Sequence, residues 1–119
     1  MSEQLLEKSS TGLDANVAAA ISYIPIVAIV FLVIEKTSTF VKFHALQSLG
    51  LCLGSIVIWF ALAVVGTIPV LGLFNLLLVP IVAIALFVVW LIAVLKAFQN
   101  QRWKLPVIGD IAEKQSTSL

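Results

Sequence analysis

Two stretches without a charged side chain dominate the chain: Ala15–Ile34, 20 residues, and Phe43–Leu95, 53 residues. A short polar connection, Glu35–Lys42, joins them, and a polar tail follows from Lys96. A helix rises about 1.5 Å per residue, so about 20 residues cross a hydrocarbon core roughly 30 Å thick. The first run therefore predicts one span, with Asn16 as a cap behind Asp14 and Pro25 as an internal kink. The second run is too long for one crossing. Its only dense glycine–proline cluster, Gly66-Thr67-Ile68-Pro69 followed by Gly72, predicts a turn between two helices. The pattern thus places membrane spans at about 15–34, 44–65 and 73–95, with Asn75 near the start of the third and Pro80 as a kink within it.

The tail changes the pattern again. Trp103 stands between Arg102 and Lys104, a composition suited to the headgroup layer. The following Leu105–Ala112 stretch is too short to span and too apolar for a free tail, which predicts an interfacial segment at about 102–113. The polar ends, 1–14 and 115–119, read as an N-terminal tail and a frayed C-terminus around a membrane domain at 15–114.

Composition agrees. Hydrophobic residues make up 61% and charged residues 11%, against roughly 45–50% and 25% in soluble domains. Mean hydropathy is +1.16. A soluble fold of this size leaves too much surface in water to absorb so many apolar side chains. The first sixteen residues contain three acids and one lysine, unlike the basic leader of a signal peptide, so the first run is expected to remain as a span. With three spans, Lys36, Lys42, Lys96, Arg102, Lys104 and Lys114 share one face. Lys8, Glu3, Glu7 and Asp14 share the other. Lysine and arginine mark the cytoplasmic side, which predicts a multi-pass protein of the cell membrane with its N-terminus outside and its C-terminus in the cytoplasm.

Few residues could carry chemistry. The chain has one histidine, His44, and one cysteine, Cys52, inside an apolar run. That excludes an internal disulfide and a zinc site within one chain. No carboxylate lies inside a predicted span, so paired-acid catalysis, a nucleophile–base–orienter set and a proton-coupled carrier lack their groups. Glu35, Asp110 and Glu113 are the only acids able to approach His44, from the cytoplasmic side. Neither catalysis, a cofactor nor nucleic-acid binding is expected. On a helical wheel His44, Gln47, Ser48 and Ser55 fall within an arc of about 100°. Gly50 and Gly54 flank it as a GxxxG pair, which permits close backbone approach by another helix. This face is expected to pack against protein.

Three segments carry a family resemblance: Asn16–Tyr23, Phe40-Val41-Lys42-Phe43-His44-Ala45-Leu46-Gln47-Ser48, and Trp103–Lys114. They resemble a widespread family of small bacterial and archaeal membrane proteins, mostly without assigned activity. It includes magnetosome proteins of the MamF/MmsF type and is related to Tic-type chloroplast import components. The resemblance implies a small polytopic protein that acts through assembly, and it singles out Phe43, His44, Ala45, Gln47, Leu105, Pro106, Gly109 and Asp110 as motif positions on the cytoplasmic face.

The combined expectation is an all-α polytopic membrane protein with three transmembrane helices and a short interfacial C-terminal segment. It is expected to serve as a scaffold or accessory protein in contact with membrane lipids, associating with itself or with a partner membrane protein. The alternative is an oligomeric channel or protein-translocation component whose polar arc lines the path.

Overall fold

The structure, a computed structural model, describes Ser9, Ser10 and residues 12–118. The expected placement of Glu3, Glu7 and Lys8 lies outside the described residues. The elements are helical: α1 (Ala15–Ile21), α2 (Pro25–Ile34), α3 (Thr39–Gly66), a 3-10 turn (Leu71–Phe74), α4 (Asn75–Phe98) and α5 (Ile108–Ser118). Two units, Thr39–Gly66 and Leu71–Phe98, are long and apolar enough to cross a membrane.

The third expected span is not confirmed. The first apolar run breaks into α1, of 7 residues, and α2, of 10, and neither reaches the length a crossing needs. Pro25 causes the break. It occupies the first turn of α2, where its missing N–H costs nothing, and it holds Ile24 in extended backbone at φ −88° and ψ 116°. The carbonyls released at the break find partners: Ser22 Oγ donates to Ala19 O at 2.6 Å, and the Trp90 indole donates to Tyr23 O at 2.9 Å. A kink is the expectation here because a membrane helix often continues past proline. These alternative donors let the chain turn instead.

The run also ends where it began. Ser9 Oγ donates to the Glu35 carboxylate, and Ser10 N–H reaches the same group at 2.9 Å. Asn16 Nδ2 donates to Phe98 O at 3.0 Å. Both ends of the first run therefore lie beside the start of α3 and the end of α4, whereas a three-span order would place Ala15 and Ile34 on opposite faces. Ala15, Ala18 and Ala19, on one face of α1, are buried with Phe40, Val41, Ala93 and Ala97, and such small side chains let three helices approach closely.

α3 begins five residues before the expected start of the second span, since Ser38 caps it by accepting from Val41 N–H at 3.2 Å. Its buried residues end at Ser48, and α4 buries only Ala93 and Ala97. Beyond them the two helices form a long apolar arm, joined at its tip through Gly66–Phe74, with Pro80 accommodated inside α4. Phe60, Leu76 and Leu77 on this arm are exposed.

α4 ends in a Schellman motif. Asn100 adopts φ 63°, Gln101 N–H donates to Lys96 O at 2.9 Å, and Asn100 N–H donates to Ala97 O at 3.1 Å. This reversal sends residues 101–107 across the start of α3 and into α5, which lies against α3. Where a frayed end was expected, α5 continues through Gln115 to Ser118 and buries Ser116.

Candidate functional site

The polar centre of the molecule lies where the α1–α2 break, the first half of α3 and the segment after α4 converge. Tyr23, His44 and Gln47 are fully or almost fully buried there. His44 Nε2 lies 3.0 Å from Gln101 O, which can only accept, so Nε2 carries the ring proton. Nδ1 then accepts from Tyr23 Oη at 2.6 Å. Tyr23 Oη in turn accepts from Gln47 Nε2 at 2.7 Å, while the second Gln47 N–H goes to Trp103 O at 2.8 Å and Gln47 Oε1 accepts Leu105 N–H at 2.9 Å. Every polar atom of the three side chains has a partner of the right polarity. The set is a closed neutral network, and it ties three segments of chain together.

Aromatic rings enclose the imidazole. Phe40 and Phe43 meet it edge-on at 4.7 and 4.9 Å, and Tyr23 at 5.5 Å. The Arg102 guanidinium lies 5.6 Å from the centroids of both Phe40 and Phe43 and donates to Thr39 Oγ1 at 3.1 Å. None of the three candidate acids reaches His44. Asp110 and Glu113 pair with Lys104, and Glu113 is the main cause holding the Lys104 ammonium above its usual range.

Glu35 is a second junction. Burial pushes its carboxyl upward, but hydrogen bonds from Ser9, Ser10 and Ser38 together outweigh that effect and hold it at about 2 instead of the ordinary 4.5. The ionised group thus joins the chain at Ser9 and Ser10 to the cap of α3.

The sequence-derived residues divide by location. His44 and Gln47 enter the network, while Phe43, Ala45, Leu105 and Gly109 are buried around it. Pro106 and Asp110 are exposed. Gly50 and Gly54 face the Ile108 side chain of the same molecule, and a Cβ on Gly50 would come within 2.6 Å of Ile108 Cγ2. Ser55 Oγ bonds back to Leu51 O at 2.8 Å, whereas buried Ser48 Oγ has no partner. Among the described residues, no three His, Cys, Asp or Glu side chains lie together to hold a metal ion. Sequence reasoning assigned no site role to Tyr23 or Arg102, and it set Glu35 toward His44 where the carboxylate instead meets Ser9, Ser10 and Ser38. A lone tyrosine just before Ile24-Pro25 in an apolar run is the signal that could have found the first, since a buried phenol needs a partner.

The network is built from the same segments that carry the family resemblance. The model of the magnetosome magnetite crystal formation protein family, MamF/MmsF, matches residues 10–112. The chain belongs to this family. A UPF0132 membrane protein of Archaeoglobus fulgidus is 49% identical over 102 residues, covering 84% of this chain and 93% of the relative. A UPF0132 membrane protein of Methanocaldococcus jannaschii is 40% identical over 111 residues, covering 92% and 94%. The magnetosome protein MmsF of Paramagnetospirillum magneticum is 31% identical over 114 residues, covering 96% and 99%. No solved structure matches the chain. Membership of the MamF/MmsF family supports a membrane location. The expected relation to Tic-type import components finds no support in these matches.

Proposed function

We propose that this MamF/MmsF-family chain is a small membrane scaffold or assembly protein that works by association with itself or with a partner membrane protein, without catalysis of its own. The observation that carries this reading is the division of the molecule. Most of its buried polar side chains, around His44 and Glu35, hold together a head made of α1, α2, the first part of α3 and the chain after α4, while the arm formed by the rest of α3 and α4 exposes apolar side chains. His44 and Gln47, which a channel would need along its path, are enclosed within the single chain, so the polar arc lends no support to a pore. The family's description concerns magnetite crystal formation; on this reading the present chain takes an assembly role and no mineral-binding one.

The same reading makes the first run re-entrant. The bonds from Ser9 and Ser10 to Glu35 bring its ends together, and Lys36, Lys42, Lys96, Arg102, Lys104 and Lys114 belong to the head or the segments joined to it. The opposite tip, Thr67–Val70, has no charge. By the positive-inside rule, both ends of the described chain then face the cytoplasm of the cell membrane. This reading differs from the N-terminus-outside order that the charge count predicts.

Native mass spectrometry of the full chain in lipid nanodiscs, combined with cross-linking in its own membrane, tests the scaffold reading. A defined oligomer or a specific membrane partner, reduced when Phe60 and Leu77 on the arm are replaced by alanine, is the expected result. A strict monomer that cross-links to no partner would sink it.

A further inference from the structure

α5 hangs from the rest of the chain by two residues. Leu105 N–H is fixed on Gln47 Oε1 at 2.9 Å, and the Ile108 side chain is seated on Gly50 and Gly54 of α3. Only Pro106 and Val107 lie between. Val107 stands at φ 65°, and Ile108 N–H reaches back to Pro106 O at 2.7 Å, which makes this segment the strained form of the γ-turn. A β-branched residue is badly suited to positive φ, and Val107 is 72% exposed, so little packing offsets the strain. The helix beyond the turn is lightly seated. It buries only the small residues Gly109, Ala112 and Ser116, and a groove of about 280 Å³ remains between it and α3, lined by Leu46, Leu53, Ile108 and Ile111 among others.

We propose that α5 exchanges between two copies of this chain, each copy's α5 leaving its own α3 to seat on the same glycines of the other. A short strained hinge favours exchange, because opening it relaxes the backbone while the contacts on either side are rebuilt. Ile108 meets Gly50 and Gly54 of the second copy, Gly109 N–H meets its Leu105 O, and Asp110 and Glu113 meet its Lys104, as they do within one chain. The occupant of the face is thus a second copy's α5, whose shape and charges already complement it. The reach of the hinge sets the geometry. Three extended steps from Leu105 to Ile108 cover about 10 Å, so the two heads meet side by side at this segment. Val107, Ile111 and Leu53, all exposed apolar residues around the hinge, lie in that contact. The exchange rests on the scaffold reading and gives its self-association a route.

The test pairs Leu46→Cys with Ala112→Cys in the full chain in its membrane, with Cys52→Ser throughout. Both positions line the groove, and Ala112 is only 3% exposed, so a disulfide joins them only where an α5 sits on an α3. One chain carries Leu46→Cys, and a co-expressed chain with a different tag carries Ala112→Cys. A disulfide between the two tagged chains is expected. It should fall about tenfold in Val107→Gly, which relieves the strain of the closed turn, and persist in Val107→Ala, which keeps a Cβ at positive φ. Leu53→Cys in place of Leu46→Cys repeats the measurement if the first pair does not oxidise. Native mass spectrometry in nanodiscs separates the exchange from the scaffold reading. Oligomers in which chains carrying both cysteines close the disulfide only within themselves overturn the exchange and leave the scaffold reading standing. Monomers overturn the exchange too, and only monomers that also cross-link to no partner sink the scaffold reading. A link between chains undiminished in Val107→Gly overturns the strained hinge as its cause.

Discussion

Tyr23 Oη lies 2.6 Å from His44 Nδ1, and this bond joins a break in one apolar run to the start of the next helix. It works only with a neutral imidazole that carries its proton on Nε2, toward Gln101 O. The one histidine of the chain, a candidate for chemistry by its residue type, is a fastening between segments.

Removing the phenol oxygen should loosen that fastening. Tyr23→Phe leaves His44 Nδ1 and one N–H of Gln47 without partners in a buried site, at an expected cost of about 1–3 kcal/mol. Gln47→Leu should cost more, because Trp103 O, Leu105 N–H and Tyr23 Oη all lose a partner. Unfolding in mixed micelles against rising dodecyl sulfate measures both. Equal stability for Tyr23→Phe and wild type would show that the network adds nothing.

Acid should act through Glu35. Its carboxyl is lowered in the folded chain from 4.5 to about 2. Its contribution to stability is therefore complete above the unfolded value and is lost as pH falls through that window. The wild type should weaken between about pH 4.5 and pH 2, whereas Glu35→Gln should be weaker at neutral pH and flatter across the same range. Parallel pH profiles for the two proteins would remove Glu35 from this role.

The glycines along α3 and α5 should not respond alike. A Cβ at Gly109 would lie 2.6 Å from the Lys104 Cα, a backbone atom that cannot step aside. At Gly50 the obstacle is the Ile108 side chain, and at Gly54 the nearest Ile108 atom is an ordinary 3.8 Å away. Gly109→Ala should cost about 1–3 kcal/mol, the usual range for overpacking, and Gly54→Ala little. Gly50→Ala should be partly rescued by Ile108→Ala in a double-mutant cycle. Failure of that rescue would place the Gly50 conflict elsewhere.

Topology is open to direct labelling. With Cys52 replaced by serine, cysteines introduced at Ser10 and Ser118 should both react only when the cytoplasmic side is accessible. Reaction of the two from opposite sides would restore the three-span order and end the re-entrant reading.

Much of the architecture is legible in the amino-acid pattern. Charge-free length and composition are enough to identify an apolar helical protein, because about 20 apolar residues match a bilayer whatever they pack against. The cluster at Gly66 and Pro69 marks the tip of the arm for a similarly local reason, since those residue types favour turns. The fate of the first run is not local. Pro25 allows either a kink or a break, and the indole of Trp90, 67 residues away, meets Tyr23 O at the break. Glu35 reads as a solvated connector because nothing nearby in sequence reveals that Ser9 and Ser10 converge on it. Gly50 and Gly54 announce a close helix contact, yet only the fold shows Ile108 of the same chain lying against them. Periodicity and length determined which segments are helical and apolar. Tertiary structure decided which polar groups meet, because partners dozens of residues apart are chosen by the burial of groups that cannot remain unpaired.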